Sequence, residues 1–307
     1  MVEKLGSQLE QNQLASELVG ELVRALGFAK NGLMKRISKP FVWQPMSKFS
    51  KLALQFEEIV IHQGFQKAAA WFISHFVDRV QVLGQERLPN AGPLIIASNH
   101  PGAYDSLVIS ANIPRNDLKI ISSPIPFLQR FPFSSNHLLF SDRDAYTRMG
   151  VVRKGIRHLE QGGALLVFAR GTIDPDPASM AGTEVEIPQW SSSLGLFLRK
   201  VPQTQMAISM VSGILIPEFV QHPLTALRKN RVDKQRISEF FQVIRQLINH
   251  ESLKVSPHLT FSSPISLLEL GQEKTLKELS QLIVSRALEE FEFHLRMIAS
   301  AAPGMSA

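Results

Sequence analysis

The sequence predicts an α/β fold with a largely parallel sheet flanked by helices, preceded by an N-terminal helical segment. Two apolar runs of strand length, "PLIIAS" and "ALLVFA", point to buried strands, and the second follows Gly162-Gly163. Strands that alternate with helices are typical of a parallel sheet covered on both faces. The helix predicted between the two strands has an apolar stripe at helical spacing, formed by Met149, Val152, Ile156 and Leu159.

The first part of the chain, residues 1–70, is predicted to be helical and to precede an α/β domain at 71–307. Leucines recur at helical spacing within residues 11–27, at positions 14, 18, 22 and 26. A second helix is predicted over residues 64–77, where Phe65, Ala69, Phe72 and Phe76 line one side. After it, "RVQVL" reads as a strand and "GQERLPNAG" as a turn region.

The stretch 29–56 combines basic and bulky apolar residues and contains no acid. Cations that meet lipid headgroups and rings that lie at the interface are what a membrane-surface segment requires. A solvated basic face on a helix packed against the main domain is the alternative. The basic residues are Lys30, Lys35, Arg36, Lys39, Lys48 and Lys51, interleaved with Phe41, Trp43, Met46, Phe49 and Phe56.

Three further elements are predicted in the second half. The run "MAISMVSGILI" supplies one or two strands, and "TLKE" at 275–278 is a capping-box pattern that opens a last helix to about Ser300. Between them lies an amphipathic helix whose apolar side consists of Ile237, Phe240, Phe241, Ile244, Leu247 and Ile248.

Composition narrows the functional classes. The chain has 307 residues, 44% of them apolar, and no cysteine, which excludes disulfides, a thiol nucleophile and Cys-ligated metals. The net charge of +6 suits an anionic partner: nucleic acid, a phosphorylated small molecule or a membrane surface. The longest apolar runs are shorter than the roughly 18 residues of a membrane-spanning helix. The acidic N-terminus does not resemble a signal peptide. These features predict a cytoplasmic protein, peripheral on the inner face of the membrane.

A histidine and an aspartate flank the break after the first buried strand, in "SNHPGAYD". Five positions along a continuous helix would leave His100 and Asp105 about 140° apart, so their contact requires the break that Pro101-Gly102 provides. With Asp105 near the start of the next helix, its carboxylate would accept a hydrogen bond from one ring nitrogen of His100. The other nitrogen would then be available as a base. The carboxyl end of a strand is where α/β proteins place their sites.

At these residues the sequence resembles the glycerolipid acyltransferases, typified by 1-acylglycerol-3-phosphate acyltransferase. The family motif Asn-His-x4-Asp stands here as Asn99, His100 and Asp105. The second block matches "LLFSDRDA", with Arg143 at the phosphate-contacting position, and the fourth, hydrophobic block is loosely matched by "MAISMVSGILIP". The third, Phe-Pro-Glu-Gly-Thr, appears as "FARGT", in which Ala169 and Arg170 depart from the family. The resemblance covers about Val80 to Pro217.

The resemblance implies O-acyl transfer from acyl-CoA or acyl carrier protein to a lysolipid-type acceptor, without a further cofactor or a metal. His100 would be the general base and Asp105 its orienting partner. Substrate binding would fall to Asn99, Arg143, Arg170, Gly171 and Thr172. Alternatives stay open: a surface ion pair for Arg143, an ordinary turn at Gly171-Thr172 and a solvent-facing Arg170. With arginine in place of the family glutamate, the acceptor is expected to differ from lysophosphatidate in its headgroup.

Other enzyme classes lack their motifs. The sequence has no G-x-S-x-G elbow, no G-x-G-x-x-G or Walker A loop, and no H-E-x-x-H metal motif. The main alternative to an enzyme is a non-catalytic lipid-binding or membrane-associated protein that keeps the acyltransferase fold. Nucleic-acid binding rests on net charge alone and is not the expected function.

Overall fold

The computed structural model describes residues 2–25, 32–102, 104–142, 144–226, 228–249 and 253–301. Within these ranges the strands are β1 (Gln81–Leu83), β2 (Leu94–Ser98), β3 (Lys119–Ser122), β4 (Leu138–Phe140), β5 (Ala164–Phe168), β6 (Gln205–Ser212), β7 (His258–Phe261) and β8 (Ile265–Ser266).

The helices in these ranges begin with a long pair. They are α1 (Val2–Ala25), α2 (Gly32–Gln63), α3 (Phe65–Ile73), α4 (Asp105–Ala111), α5 (Pro132–Ser135), α6 (Ala145–Glu160), α7 (Thr183–Glu186), α8 (Ser193–Lys200), α9 (Pro217–Val220), α10 (Pro223–Ala226), α11 (Arg231–Ile248), α12 (Leu267–Leu270) and α13 (Leu276–Ala301).

The strands form one mixed sheet in the order β1-β7-β6-β2-β5-β3-β4, with β8 paired to β6. From β6 to β4 all neighbours are parallel, whereas β7 and β8 run antiparallel to β6. The predicted α/β fold with N-terminal helices is therefore confirmed. The parallel strands all end at one edge of the sheet, which we call the carboxyl edge.

Helices cover both faces of the sheet, so the central strands are buried on both sides. In β2, Leu94 and Ile96 pack into one core with α3 and α4, while Ile95 and Ala97 pack into the other with α8 and α13. This two-sided burial explains why β2 and β5 are continuous apolar runs in the sequence.

The aromatic residues of the basic stretch that the structure describes lie against the main body. Phe49 and Phe56 make edge contacts with Phe72 of α3, with ring centroids 5.9 and 5.7 Å apart, and Met46 is buried. Lys48 and Lys51 are exposed on the same helix. At these positions α2 is a packed helix with a basic exposed face, which was the alternative to a membrane-surface segment. Lys30 lies outside the described residues, as do the side chains of 32–41.

The N-terminal helices share a core with the α/β part of the chain, since Val19, Met46 and Val60 belong to the same cluster as Ile96. The boundary predicted at residue 70 falls inside α3 and stays a prediction. No helix within the described ranges is both long and apolar enough to span a bilayer.

Helix α11 differs from its sequence pattern. Of the six residues on its predicted apolar side, Leu247 alone is fully buried, Phe240 and Ile244 are partly buried against the core, and Ile248 is 42% exposed. The fully buried positions are polar and include Gln235, Gln242 and Gln246. Amphipathicity therefore predicted the helix and part of its packed side, but not the buried polar residues beside that side.

Candidate active site

The loops that follow β2 and β5 meet at the carboxyl edge. The two strands are parallel neighbours, with Ser98 paired to Phe168, so His100 and the "ARGT" segment leave adjacent strands side by side. This is the position where open α/β sheets place their ligands.

The structure brings His100 and Asp105 into direct contact. The Nδ1 atom of His100 lies 2.7 Å from Oδ2 of Asp105, which also accepts a hydrogen bond from the backbone N–H of Gly102 at 3.0 Å. Asp105 is the first residue of α4 and only 1% of its side chain is exposed. The carboxylate of Asp105 is thus fixed by the backbone N–H of Gly102, and it binds one ring nitrogen of His100.

The imidazole of His100 keeps a route to solvent. It stacks on Phe168 with ring centroids 4.2 Å apart, and 30% of the side chain is exposed. Burial opposes protonation, but the carboxylates of Asp105, Glu239 and Asp174 outweigh it and hold the pKa of His100 above its ordinary value. His100 is therefore a stronger base than an isolated imidazole.

The backbone conformation of Gly102 favours glycine. Its φ of +153° is unfavourable for other residues. The carboxylate of Glu239 in α11 lies close by, and a Cβ at position 102 would be 2.7 Å from its Oε1, so a larger residue would also displace this side chain.

Asn99 is completely buried and uses its amide on β6. Its Nδ2 donates to the carbonyl of Val211 and its Oδ1 accepts from the N–H of Val211, both at 2.9 Å. Because both ends of the amide are occupied by the backbone N–H and C=O of one residue, Asn99 fixes the start of the His100 loop. In the structure Asn99 supports the backbone next to His100 through its contacts with β6.

Asp174, beyond "ARGT", holds the main chain of His100. Its Oδ2 accepts from the His100 N–H at 2.9 Å, and its own N–H donates to the His100 carbonyl at 2.8 Å. Burial raises the pKa of the Asp174 carboxyl to about 6, although the His100 N–H and Arg170 favour its charged form. The two loops are thereby joined residue to residue.

Arg170 lies in an ion-pair network, and 12% of its side chain is exposed. Its Nε is 2.8 Å from Oε2 of Glu186 and its Nη1 is 3.3 Å from Oδ1 of Asp174. The other oxygen of Glu186 lies 3.1 Å from Nη2 of Arg231. The cation that replaces the family glutamate is therefore surrounded by carboxylates of the chain itself.

The remaining predicted residues are less completely defined. Gly171 is exposed with φ +75°, and its N–H donates to the carbonyl of Phe168 at 2.9 Å, which closes a turn. Thr172 is half-buried in the same loop. Arg143 lies outside the described residues. Asp144 beside it caps α6, since its carboxylate accepts from the Thr147 N–H at 2.9 Å.

The comparisons with known proteins concern this same stretch. Residues 79–204 match the family model described as Acyltransferase. The match confirms the acyltransferase resemblance of the sequence over the segment that contains His100, Asp105 and Arg170.

The whole chain is also similar to a solved structure, the 1-acyl-sn-glycerophosphate (LPA) acyltransferase PlsC from Thermotoga maritima. The likeness covers 94% of this chain and 97% of that one, with a TM-score of 0.44 and 15% identity. Comparison with curated protein sequences gives no match.

Sequence reasoning missed two aspartates of the acyltransferase segment, both in "DPDP". Besides Asp174, the buried Asp176 accepts hydrogen bonds from the backbone N–H groups of Gly213, Ile214 and Leu215 at 2.8 to 2.9 Å. It therefore ties the loop after β5 to the loop after β6. Paired aspartates shortly after a buried strand were the available signal, but Asp-Pro repeats are also typical of ordinary turns.

Proposed function

We propose that the protein is an acyltransferase that moves a fatty acyl group from an acyl thioester to a hydroxyl of a glycerolipid-type acceptor. The observation that carries the proposal is the contact between Nδ1 of His100 and Asp105 at 2.7 Å, beside an imidazole that is still partly exposed. The family match over residues 79–204 supports acyl transfer as the reaction class.

In the proposed reaction His100 acts as a general base through Nε2. It takes the proton of the acceptor hydroxyl as the oxygen attacks the thioester carbonyl, and a tetrahedral oxyanion forms. When the intermediate collapses, the C–S bond breaks and the imidazolium returns its proton to the leaving thiolate. Asp105 keeps Nδ1 protonated, so that Nε2 is the basic nitrogen, and it stabilises the imidazolium.

The donor is proposed to be acyl-CoA or acyl carrier protein, because an activated thioester needs no further cofactor for attack by a hydroxyl. The anionic headgroup is assigned to Arg143, and the oxyanion to backbone N–H groups at Thr172. The guanidinium of Arg170 is already shared between Glu186 and Asp174. We therefore propose that Arg170 does not act as a free phosphate-binding cation, and that the acceptor differs from lysophosphatidate in its headgroup.

The test is transfer of labelled acyl groups from acyl-CoA and from acyl carrier protein to a panel of lysolipids. We expect label in one class of lysolipid with wild-type protein and none with His100→Ala. His62→Ala is the matched control, since His62 is exposed on α2 away from the site. Near-normal turnover by His100→Ala would contradict the assignment. Lysolipid binding without transfer to any acceptor would favour the alternative, a lipid-binding protein.

A peripheral position on the inner face of the membrane is proposed together with this activity, because the acceptor is a lipid. The basic residues at 35, 36 and 39 of α2 carry this part of the proposal, since Phe49 and Phe56 are partly buried against the core.

A further inference from the structure

Helix α11 lies beyond the acyltransferase match and presents amides to the catalytic loops. Gln235, Gln242 and Gln246 are at most 1% exposed, at positions where an amphipathic helix ordinarily carries apolar side chains. Buried amides are stable only when hydrogen-bonded. The partners of these glutamines therefore indicate what the helix holds in place.

Gln235 bridges the loops after β2 and β5. Its Nε2 donates to the carbonyl of Pro101 at 2.5 Å and to the carbonyl of Asp174 at 2.8 Å. Pro101 follows His100 directly, and Asp174 holds the His100 main chain from the other side. One side-chain amide thus links the peptide after the histidine to the residue that clamps it.

The orientation of this amide is set by its other end. Oε1 of Gln235 accepts from Nη1 of Arg231 at 2.8 Å, and Nη2 of Arg231 donates to the carbonyl of Ile173 at 2.9 Å. The amide N–H groups therefore point at the two loops. One helical turn further on, the carboxylate of Glu239 lies over Gly102.

We infer that Gln235 is a positioning residue that holds the His100 loop against the Asp174 loop, and that α11 belongs to the catalytic apparatus. A catalytic role for Gln235 rests on the proposed function. Its effect on the position of His100 does not depend on that function. Without the two N–H donors, two buried carbonyls would lose their partner and the loops would move apart. Small displacements of a catalytic group cost as much as about 100-fold in rate.

Two variants of Gln235 test this in the full-length protein. Gln235→Met keeps the approximate volume, and Gln235→Glu keeps the size and the acceptor while removing the donors. Gln246→Met is the matched control, because Gln246 is equally buried on the same helix and donates to the carbonyls of Phe76 and Leu253 at 3.1 and 2.8 Å, with only a long contact of 3.5 Å to the hydroxyl of Tyr104 in the His100 loop. All three proteins are compared by thermal melting and by an NMR titration of labelled histidine, with His100→Ala used to assign the signal.

We expect Gln235→Met to lower the titration midpoint of His100 toward that of an ordinary histidine, since the ring moves away from its carboxylates. Gln235→Glu brings a carboxylate of its own to the loop, so turnover is the readout for that variant. The control should lose thermal stability without changing this midpoint. With an acceptor in hand, the Gln235 variants should lower kcat about 10- to 100-fold and leave KM within about twofold.

An unchanged His100 midpoint in folded Gln235→Met protein, or an equal change in the Gln246 control, would overturn the inference. The NMR readout does not depend on acyl transfer. Absence of turnover in the wild-type protein would therefore reject the proposed function, while the titration still decides the role of Gln235.

Discussion

Replacement of Arg170 by glutamate, the residue usual in the acyltransferases it resembles, is expected to destabilise this protein. The guanidinium is 2.8 Å from Glu186 and 3.3 Å from Asp174, with 12% of its side chain exposed. Arg170→Glu would place three carboxylates together in a largely buried site. Removing one partner of a buried ion pair costs about 3–5 kcal/mol, so we expect the free energy of unfolding to fall by about that amount.

A variant in which Arg170 and Glu186 exchange their charges distinguishes the loss of the ion pair from an unspecific loss of stability. Glu186→Arg alone would place a third guanidinium beside Arg170 and Arg231 and is expected to be destabilising as well. Combining Arg170→Glu with Glu186→Arg restores an opposite pair. The double variant should be more stable than the sum of the single changes by about 2 kcal/mol, within the range for residues in contact.

Urea unfolding at pH 8 and pH 5 measures these free energies. Burial raises the pKa of Asp174 to about 6, so this carboxyl is charged at pH 8 and largely protonated at pH 5. The loss caused by Arg170→Glu should therefore be larger at pH 8. Additivity within about 0.5 kcal/mol, together with a loss that does not change with pH, would show that Arg170 faces solvent and would refute this reasoning.

Three further results are expected. Asp105→Asn should reduce turnover by about 10⁴-fold, measured as initial rates, because an amide no longer selects the basic Nε2 tautomer of His100; a loss below tenfold would contradict this. The buried His294 bonds Ser212 at 2.8 Å, and burial lowers its pKa to about 3. The unfolded chain then binds the extra proton below pH 6.5, so acid removes about 2 kcal/mol of stability by pH 5. In urea unfolding, His294→Gln should not show this loss of stability at low pH. The same pH dependence of the unfolding free energy in wild type and variant would exclude His294 as its cause. Lys35→Glu with Lys39→Glu should weaken sedimentation with anionic vesicles, at about 1 kcal/mol per cation, and equal binding would remove α2 from the membrane proposal.

The elements that the sequence predicts well are those determined by local pattern. β2 and β5 are buried on both faces, so each appears as an unbroken apolar run. The helix before β5, α6, ends near Gly162 as predicted. Within its predicted stripe Leu159 is buried and Val152 and Ile156 are partly buried, whereas Met149 is 56% exposed. The spacing of His100 and Asp105 around Pro-Gly was informative for the same reason, since both residues lie within one loop and the following turn.

The short strands could not be predicted in this way. β3, β4, β7 and β8 have two to four residues each, which is too short for an alternation of apolar and polar residues to be recognised. Their pairing depends on partners distant in sequence; β7, for example, joins the sheet between β1 and β6. Tertiary contacts decide such segments, and a single sequence does not specify those contacts.

The supporting residues of the site escaped prediction because they act across long sequence separations. Asp174 reaches His100 over 74 positions and Gln235 reaches Pro101 over 134. Glutamines on an amphipathic helix ordinarily predict a solvated face, and the apolar residues of α11 predicted only part of its packed side. Only the three-dimensional structure identifies the buried carbonyls that these amides satisfy.

The departure from the family at position 170 is confined to one of the two loops. Asp105 orients His100 through contacts within the loop after β2, and Asn99 anchors that loop to β6. The arginine enters the loop after β5, where Glu186 and Asp174 neutralise it. The proposed base His100 can therefore keep its environment while the charged residues of the loop after β5 change. The loops still depend on each other through Asp174, so a substitution on the acceptor side that breaks this clamp should also displace the histidine.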